Sequence, residues 1–515
     1  MAARGAKPRP KARAKAVAAA QQRRDVDMEA VIERALSLSR RAPGVSEAEA
    51  YGTWNAFTMA RIETIGWAGS ARPPSVMQLK RLDSYGASVR IVINGAVGTA
   101  NTSDLSAAGL RRLVDRAVGG ARIMPPDPNF VSLPMPIKRA APKLPRDDAI
   151  LLGSVEEGLA DAAEEAIGAV PDGLQLAGSI MAVGSEVSVA NTHGIELHGH
   201  VDTFVAAQFT VERMDGPKAS SSGMGWSTGR RMRDLDPADA AFSAASLAGE
   251  VPRRSTVPEG DYNVIMGQYT VADVLDNLMP YSIDLGSIYQ GFCWMPTERR
   301  KLANGREASH PKLGARVAVE GFSMSEDPTL ETGMLSHAFD DEGLPARRVD
   351  IIRDGVFEDV LGSTYWSYLY GREPAGSALR KSTVPGRCAC ASPRAAGTNL
   401  VVAPGDMSFE ELVEASRGRP TIYIPRTWYT YPTRYGASGF SSSNRSTAFV
   451  VERGELVPVA PNAFKLTGDV LKILGSVYGV GKDVKTATTW VASRAPVVPM
   501  LAARGVRVSK PAGEA

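Results

Sequence analysis

The sequence predicts an α+β protein, with N-terminal α+β modules followed by a β-rich C-terminal domain. This prediction rests on amphipathic helical spacing near the N-terminus, strand pairs around glycine-containing turns in the first half, and short β-branched runs in the second half. The chain has 515 residues, enough for two or three domains. We expect a basic arm at 1–24, N-terminal and middle α+β segments at 25–122 and 146–250, and a β-rich C-terminal domain at 259–508.

The N-terminal segment combines helices with a strand pair. Its first run of apolar residues keeps a helical spacing until Pro43-Gly44 interrupts it, and Asn94-Gly95 is typical of a tight hairpin turn. Several prolines between Pro125 and Pro142 then predict a linker. The expected elements are a helix over 25–39, strands over 47–65 and 88–100, and a helix capped by Ser103 or Asp104.

The middle segment repeats this mixture, and the C-terminal domain is mostly β. A stretch rich in Ser and Gly at 216–229 is expected to be a mobile loop. The other expected elements of the middle segment are a helix over 147–168, strands over 179–190 and 195–212, and a helix over 237–247. The β-branched runs of the C-terminal domain predict strands at 263–267, 317–322, 346–354, 401–403, 421–424 and 447–451.

Charge is distributed unevenly along the chain. Residues 1–24 hold eight Lys or Arg and no acid, whereas the remainder is mildly acidic. With so few large apolar groups this arm cannot offset the entropy of ordering, so we expect it to be flexible. Attraction to nucleic-acid phosphates is the alternative role for the arm. No run of eighteen apolar residues occurs, so we expect no membrane span.

The three cysteines, an odd number without a signal-peptide context, favour a reducing and therefore cytoplasmic compartment. Cys388 and Cys390 form a Cys-x-Cys pair, and Cys293 lies far from them in sequence. We interpret them as ordinary buried thiols, with a zinc or redox role as the alternative. The sequence has no phosphate-binding loop, nucleophile elbow or dinucleotide fingerprint, which argues against the enzyme classes that carry them.

Several sequence blocks resemble the TldD/PmbA family. The most specific is Leu-Ser-His-Ala-Phe-Asp-Asp-Glu-Gly-Leu-Pro-Ala-Arg-Arg at 335–348, where three consecutive acids follow an aromatic residue. The other matching blocks are 86–104, 190–194, 325–330, 398–406 and 449–456. The resemblance covers about 25–508, and it implies an α+β N-terminal region and a β-rich C-terminal domain.

The zinc motif of the family is missing from this sequence. The metal-bearing TldD-type member carries His-Glu-x-x-x-His, in which two imidazoles bind zinc and the Glu acts as general base. The resemblance places Asp276, Asn277 and Tyr281 at those positions. The family's third ligand, a Cys in a C-terminal Cys-Gly-Lys block, is also missing, because the last cysteine is Cys390. We therefore expect no metal and no other cofactor, as in the PmbA/TldE-like branch.

Two groups of charged residues are candidate structural or metal-binding sites. Glu196, His198 and His200 alternate along a predicted strand and would share one face. We interpret them as a solvated face, with metal binding as the alternative. Consecutive acids repel each other unless basic groups or backbone amides hold them. We expect a structural cluster at a domain or subunit contact, formed by Asp340, Asp341, Glu342, Arg347 and Arg348.

Two polar segments are candidate substrate-binding surfaces, and plain structural packing is the alternative for each. The sequence Gly-Ser-Ala-Leu-Arg at 376–380 could present amides and a guanidinium to a peptide. The aromatic strip at 429–445 has a composition suited to capturing an extended polypeptide along a strand. The candidate substrate-binding residues are Arg380, Tyr429, Tyr431, Arg434, Tyr435 and Phe440.

The resemblance implies a protein without its own zinc site that acts as partner subunit of a TldD-type metalloprotease on unfolded peptides. Homo-oligomer formation is left open. One alternative is a stand-alone peptidase or other hydrolase that uses Asp340, Asp341 or Glu342. A second alternative is a peptide- or nucleic-acid-binding regulator, although nucleic acid is not the partner that we expect.

Overall fold

The computed structural model describes residues 26–64, 74–249, 255–381, 385–395, 397–489 and 494–510. The arm expected at 1–24 lies outside these residues. The structure is 22% helix and 40% strand, with a sheet-rich C-terminal region, which confirms the predicted α+β class. Among the described residues, no helix has the length and apolar character needed to cross a membrane.

The first half of the chain folds into one large sheet with helices packed on it. Its elements are α1 (Met28–Arg41), β1 (Val45–Glu63), β2 (Ser75–Ile93), β3 (Ala96–Thr102), α2 (Ala107–Ile123), α3 (Asp148–Leu152), α4 (Glu156–Gly168), β4 (Gln175–Asn191), β5 (Glu196–Asp215), β6 (Lys218–Gly229) and α5 (Pro237–Leu247). Most helices and strands predicted for this half have a counterpart here.

The six strands form an antiparallel sheet in the order β3-β2-β1-β4-β5-β6. Strand β1 pairs with β2 along one edge and with β4 along the other. The segments 25–122 and 146–250 therefore contribute strands to a single sheet. The hairpin between β2 and β3 turns at Asn94 and Gly95, both with positive φ, as the Asn-Gly pair predicts.

The boundaries of the helices follow local capping chemistry. Ser106 caps α2 by accepting a hydrogen bond from the backbone N–H of Gly109, so this helix begins after the expected caps Ser103 and Asp104. The single helix predicted at 147–168 is wrong, because the chain forms α3 and α4 instead. Gly153 separates these two helices in a left-handed conformation, with φ of 70°.

The mobile loop predicted at 216–229 is also wrong, because most of this stretch forms strand β6, paired with β5. The glycines of β6 allow helix α5 to pack closely against this strand. A Cβ added at Gly223 would lie 1.9 Å from the carbonyl oxygen of Ala244 on α5, and one at Gly225 equally close to that of Ala240. The small residues therefore let α5 lie directly on the strand.

The second half is richer in strands. Its helices are α6 (Gln268–Leu278), α7 (Pro280–Ile283), α8 (Leu285–Tyr289), α9 (Thr364–Leu369), α10 (Phe409–Ala415) and α11 (Val470–Leu474). Its strands are β7 (Gly260–Met266), β8 (Thr297–Lys301), β9 (Glu307–Pro311), β10 (Met324–Glu326), β11 (Val349–Arg353), β12 (Val356–Phe357), β13 (Ala378–Leu379), β14 (Arg394–Ala395), β15 (Leu400–Val402), β16 (Thr421–Ile424), β17 (Thr427–Pro432), β18 (Gly439–Asn444), β19 (Ala448–Glu452), β20 (Glu455–Val459), β21 (Lys465–Asp469), β22 (Val477–Val480), β23 (Lys485–Thr486), β24 (Val497–Val498) and β25 (Leu501–Ser509).

The largest sheet of this half runs in the order β17-β18-β21-β25-β7-β16-β19-β20, with β22 added to β25. A second sheet has the order β12-β11-β10-β15-β24-β23. Strand β7 lies inside the largest sheet, parallel to β16 and antiparallel to β25. Helix α6 starts directly after β7, so the sheet fixes where this helix begins.

The strand predicted at 317–322 is wrong. The backbone N–H groups of Val317 and Ala318 both donate to the carbonyl of Gly355, at 2.8 and 3.1 Å, instead of joining a strand ladder. Both side chains are nevertheless buried in the main core of this half. The apolar run therefore predicts burial at this position, although it does not form a strand.

Candidate functional site

A cavity of about 430 Å³ lies between helix α6 and strand β17. It brings together two groups of residues that sequence analysis selected for different reasons, the positions that the resemblance matches to the zinc motif and the aromatic strip. The lining residues are Tyr269, Asp273, Asp276, Asn277, Tyr281, Trp428, Tyr429, Thr430, Tyr431 and Arg494. We call this space the α6 cavity.

Helix α6 presents its polar residues to the cavity because of their spacing. Asp273, Asp276 and Asn277 are three and four positions apart, so they lie on one face of the helix. Tyr281 follows on α7, which begins at Pro280. The three positions matched to the zinc motif thus lie along one wall of the cavity.

Asp276 is engaged by partners from the C-terminal part of the chain. Its carboxylate forms an ion pair with the guanidinium of Arg494, at 2.6 Å, and accepts a hydrogen bond from the hydroxyl of Thr489. The side chain of Asp276 is 5% exposed and that of Arg494 is 22% exposed. Sequence analysis did not identify Arg494, because its contact with Asp276 spans more than two hundred residues.

Asp273 is a second buried carboxyl group in this wall, and sequence analysis missed it as well. The hydroxyl of Thr427 donates to it at 2.7 Å, the hydroxyl of Thr430 also donates, and the amide of Asn277 donates at 3.1 Å. Burial raises the pKa of Asp273 to about 6, even though these hydrogen bonds act in the opposite direction. The cavity therefore holds one carboxyl group that gains a proton in mild acid beside an ion-paired carboxylate.

The raised pKa of Asp273 predicts a pH dependence of stability. Since the folded state holds this proton more tightly than the unfolded state, stability is lost as pH rises from the unfolded pKa of about 4 through about 6. Relative to Asp273→Asn, the wild type should lose roughly 3 kcal/mol over this interval, measured by urea unfolding at each pH. Asp261→Asn, at an exposed ion pair, is the control. A constant difference between wild type and Asp273→Asn would contradict the prediction.

Exposed aromatic residues lie on and beside the opposite wall, where Tyr429 and Tyr431 line the cavity and Tyr435 does not. Tyr429, Tyr431 and Tyr435 are 59%, 55% and 61% exposed. Tyr429 has a φ of 57°, at a register shift in the pairing of β17 with β18, so the backbone is displaced from the regular strand next to the cavity. Tyr435 contacts Tyr281 edge to face, with ring centroids 5.5 Å apart. We call these three tyrosines the aromatic rim, and Arg434 is exposed beside them.

Two of the other candidate substrate-binding residues are buried elsewhere. Phe440 is 2% exposed and packs in the core of the C-terminal half. Arg380 is 3% exposed and forms an ion pair with Glu49, at 2.6 Å, on the N-terminal sheet. Neither side chain lines the α6 cavity, so neither is part of a substrate surface there.

The three consecutive acids are also buried, each at most 1% exposed. Asp340 accepts from the backbone N–H groups of Glu342 and Leu344, at 3.0 Å each. Asp341 forms an ion pair with Arg387 at 3.1 Å, and Glu342 forms one with Arg90 at 3.0 Å. Backbone amides and arginines together therefore allow three neighbouring acids to be buried.

The expectation that Arg347 and Arg348 hold these acids is wrong. Arg347 lies 3.7 Å from Asp359, and Arg348 pairs with Asp350 at 2.9 Å. Glu342 pairs with Arg90 on the N-terminal sheet and Asp341 pairs with Arg387, while Arg347 and Arg348 lie near the surface. Partners that come from distant parts of the chain cannot be identified from spacing alone.

Arg90, Arg380 and Glu342 also line a second cavity, of about 400 Å³, between the N-terminal sheet and the C-terminal half. Glu49 lies beneath it and accepts from Arg90 at 2.9 Å and from Arg380 at 2.6 Å. Burial alone would raise the pKa of Glu49, but the charges of Arg90 and Arg380 hold this pKa below its usual value. Glu49 is therefore ionised at neutral pH, and the network joins the two halves of the chain.

The expected alternation of Glu196, His198 and His200 does not give one common group. His200 lies 3.3 Å from Asp202, whereas the ligand atoms of His198 lie within 4.8 Å of those of Glu29 and Glu33 on α1. Glu29 and Glu33 are exposed. His200 is thus separated from His198, whereas Glu196 and His198 line one surface pocket together with Glu33.

The cysteines differ from the expectation of three free thiols. Cys388 and Cys390 are joined by a disulfide. Cys293 is a free thiol of intermediate exposure. The expectation of buried thiols is therefore wrong for the pair.

A family model for the PmbA/TldA metallopeptidase C-terminal domain matches residues 259–510, and one for the PmbA/TldA metallopeptidase domain 1 matches residues 76–121. Together these matches cover more than half of the chain. This chain belongs to the TldD/PmbA family.

Known members show how far this family likeness extends. A metalloprotease of Methanothermobacter thermautotrophicus is 29% identical over 193 residues, which are 37% of this chain and 39% of that protein. The metalloprotease PmbA of Escherichia coli O157:H7 is 23% identical over 409 residues, 76% of this chain and 79% of PmbA. The crystal structure of TldE from Thermococcus kodakarensis matches with a TM-score of 0.73 at 17% identity, covering 93% of this chain and all of TldE. The first match spans about two fifths of that relative, and the likeness to TldE is one of fold.

In this TldD/PmbA member, the residues matched to the zinc motif do not fit a zinc ion. Zinc in proteins prefers thiolate, imidazole and carboxylate ligands. Asp276 is the one preferred ligand type among the three positions, and it is already engaged by Arg494 and Thr489. The amide of Asn277 donates to Asp273, and Tyr281 offers a phenol whose pKa is raised by burial and by Tyr435.

Proposed function

We propose that this chain is the non-metal subunit of a TldD/TldE-type metalloprotease and binds unfolded peptide segments beside the zinc of its partner. The observation that carries the proposal is the pairing of Asp276 with Arg494. Asp276 stands where the family motif would have its first zinc ligand, and its carboxylate is neutralised by the guanidinium of Arg494 from the same chain. A water at neutral pH needs a metal or a well-placed base to become a nucleophile; in this wall Asp276 is ion-paired with Arg494, and Asp273 is held by the hydroxyls of Thr427 and Thr430.

The aromatic rim supports the peptide-binding part of the proposal. Exposed tyrosines offer large, rigid contact areas that suit many peptide sequences. Tyr429 and Tyr431 line the α6 cavity and Tyr435 contacts Tyr281 of its lining, so a peptide bound on the rim would lie next to the wall that contains the remnant of the zinc motif. The net role is binding, with the chemistry supplied by the partner.

The stand-alone hydrolase is a weaker proposal, because the acids assigned to it are engaged elsewhere. Asp340, Asp341 and Glu342 are buried and held by backbone amides and arginines. A regulator acting through 1–24 would depend on residues outside the described part of the chain. A cytoplasmic location remains part of the proposal, but it rests on the odd number of cysteines alone, because Cys388 and Cys390 form a disulfide.

The test is peptide cleavage by this chain alone, by a purified TldD-type subunit alone, and by the two co-expressed. We expect no cleavage by this chain, cleavage of unfolded peptides by the pair, and complete loss of that cleavage with a chelator that removes zinc. Size-exclusion chromatography of the co-expressed pair should give one complex. Folded protein substrates serve as the control, because the proposed role is to bind unfolded segments.

Two outcomes would overturn the proposal. Chelator-resistant cleavage by the isolated chain would show a catalytic site of its own, and Asp273→Asn would then test the remaining buried carboxyl of the α6 cavity. Equal activity of the partner with and without this chain would show that the chain is not needed.

A further inference from the structure

The disulfide between Cys388 and Cys390 lies on the loop that leads into strand β14. Its two residues are separated by two positions, so it closes a very small loop. A disulfide stabilises a protein mainly by restricting its unfolded chain, and this effect is smallest for short loops. A role in stability therefore explains little of this bond.

The two sulfur atoms have different surroundings. Cys390 is exposed, whereas Cys388 is half-buried. The backbone N–H of Cys390 donates to Sγ of Cys388 at 3.2 Å. Hydrogen bonds of this kind favour a thiolate over a thiol. An external thiol would reach Cys390 first, and Cys388 has the sulfur that is better prepared to leave.

One exposed arginine, Arg394, lies near the loop. The guanidiniums of Arg387 and Arg380 are paired with Asp341 and Glu49, although Arg380 also donates to the carbonyl of Ala391 at 3.3 Å. Arg394 and Cys390 line the same cavity between the two halves of the chain. Nearby positive charge lowers the pKa of a thiol and increases its thiolate fraction. The site therefore combines an accessible sulfur, a leaving sulfur and the guanidinium of Arg394 on the same cavity.

We propose that Cys388 and Cys390 form a redox-active pair that exchanges with small thiols of the glutathione class. The external thiolate attacks Sγ of Cys390, the bond to Cys388 breaks, and Cys388 leaves as a thiolate and takes up a proton. A second small thiol then attacks the mixed disulfide and releases Cys390 as a thiol. One protein disulfide and two small thiols thus give two protein thiols and one small disulfide, and the reverse reaction restores the bond.

The proposal concerns a site separate from the α6 cavity and does not depend on the proposed function. It also agrees with a cytoplasmic location, because disulfides in that compartment are usually transient and take part in redox chemistry. Cys293 provides an internal control. Its thiol is directed to the carbonyl groups of Ser282 and Met295, and burial raises its pKa.

The experiment equilibrates the full chain with mixtures of reduced and oxidised glutathione, traps free thiols by alkylation and measures each cysteine by mass spectrometry. We expect the pair to convert between disulfide and dithiol as a two-electron couple, while Cys293 stays a thiol. In Cys388→Ser, Cys390 should form a mixed disulfide with glutathione at least about tenfold faster than Cys293. In Cys390→Ser, Cys388 should react more slowly than Cys390 does in the first variant.

Circular dichroism at each mixture checks that the protein remains folded. A pair that keeps one state across all mixtures in the folded protein would overturn the proposal. Equal reaction rates at Cys390 and Cys293 in Cys388→Ser would also overturn it, because the accessible site would then have no special reactivity.

Discussion

Glu49→Gln should lower the free energy of unfolding by about 3–5 kcal/mol, because it leaves the buried guanidinium of Arg380 without a carboxylate partner. Arg380 is 3% exposed, so its unpaired charge would be buried. Its remaining acceptors would be the hydroxyl of Ser88 and the carbonyl of Ala391, each at 3.3 Å. The loss of stabilisation at Arg90 would be smaller, because its ion pair with Glu342 remains. Urea unfolding at pH 7 measures the change.

Glu63→Gln is a matched control on the same strand. Glu63 pairs with Arg61 at 2.8 Å, but both side chains are about half exposed, so the loss should stay below about 1 kcal/mol. A second experiment combines Glu49→Gln with Arg380→Met in one variant. If the unpaired charge is the cause, the double variant should be more stable than Glu49→Gln alone. Equal losses from Glu49→Gln and Glu63→Gln would contradict the prediction.

Tyr431→Ala and Tyr435→Ala, each made in this chain and assembled with a TldD-type partner, should lower kcat/KM for peptide cleavage by about ten- to thirtyfold. Both residues belong to the aromatic rim and are more than half exposed. Removing either ring takes away contact area for the peptide without opening a hole in the core. We therefore expect a higher KM, with an unchanged melting temperature and unchanged complex formation.

Phe242→Ala provides the control for exposed aromatic residues. Phe242 is 60% exposed on α5, in the N-terminal half, and does not line the α6 cavity. Its replacement should leave kcat/KM within about twofold of the wild type. Similar losses for Phe242→Ala and Tyr431→Ala would show that the rim has no specific role in peptide binding.

Local chemistry made parts of the fold predictable. The Asn94-Gly95 turn, the helix at 237–247 and the strand at 421–424 each depend on neighbouring residues, and the structure has them at these positions. The strand within 216–229 was harder to predict from the sequence, because Ser and Gly usually indicate loops. Here the lack of side chains is what allows α5 to pack on β6, and only the tertiary structure shows that.

The candidate site could also be predicted only in part from the sequence. The family resemblance selected Asp276, Asn277 and Tyr281, and composition selected the tyrosines, but neither showed that the two groups meet. Arg494 and Asp273 were missed because their roles come from burial and from partners far along the chain. Arg380 and Phe440 were selected for their polarity and aromatic character, and both are buried where the chain folds back on itself.

The position of β1 inside its sheet has a consequence for synthesis of the chain. Strand β2 follows β1 directly, so one edge of β1 can pair as soon as the hairpin has formed. Its other edge pairs with β4, which is made only after α2, α3 and α4. Until β4 leaves the ribosome, the nascent chain carries a long strand with an open edge, and such edges invite wrong pairing. The soluble yield of this protein should therefore depend on elongation rate and on chaperones that shield extended strands.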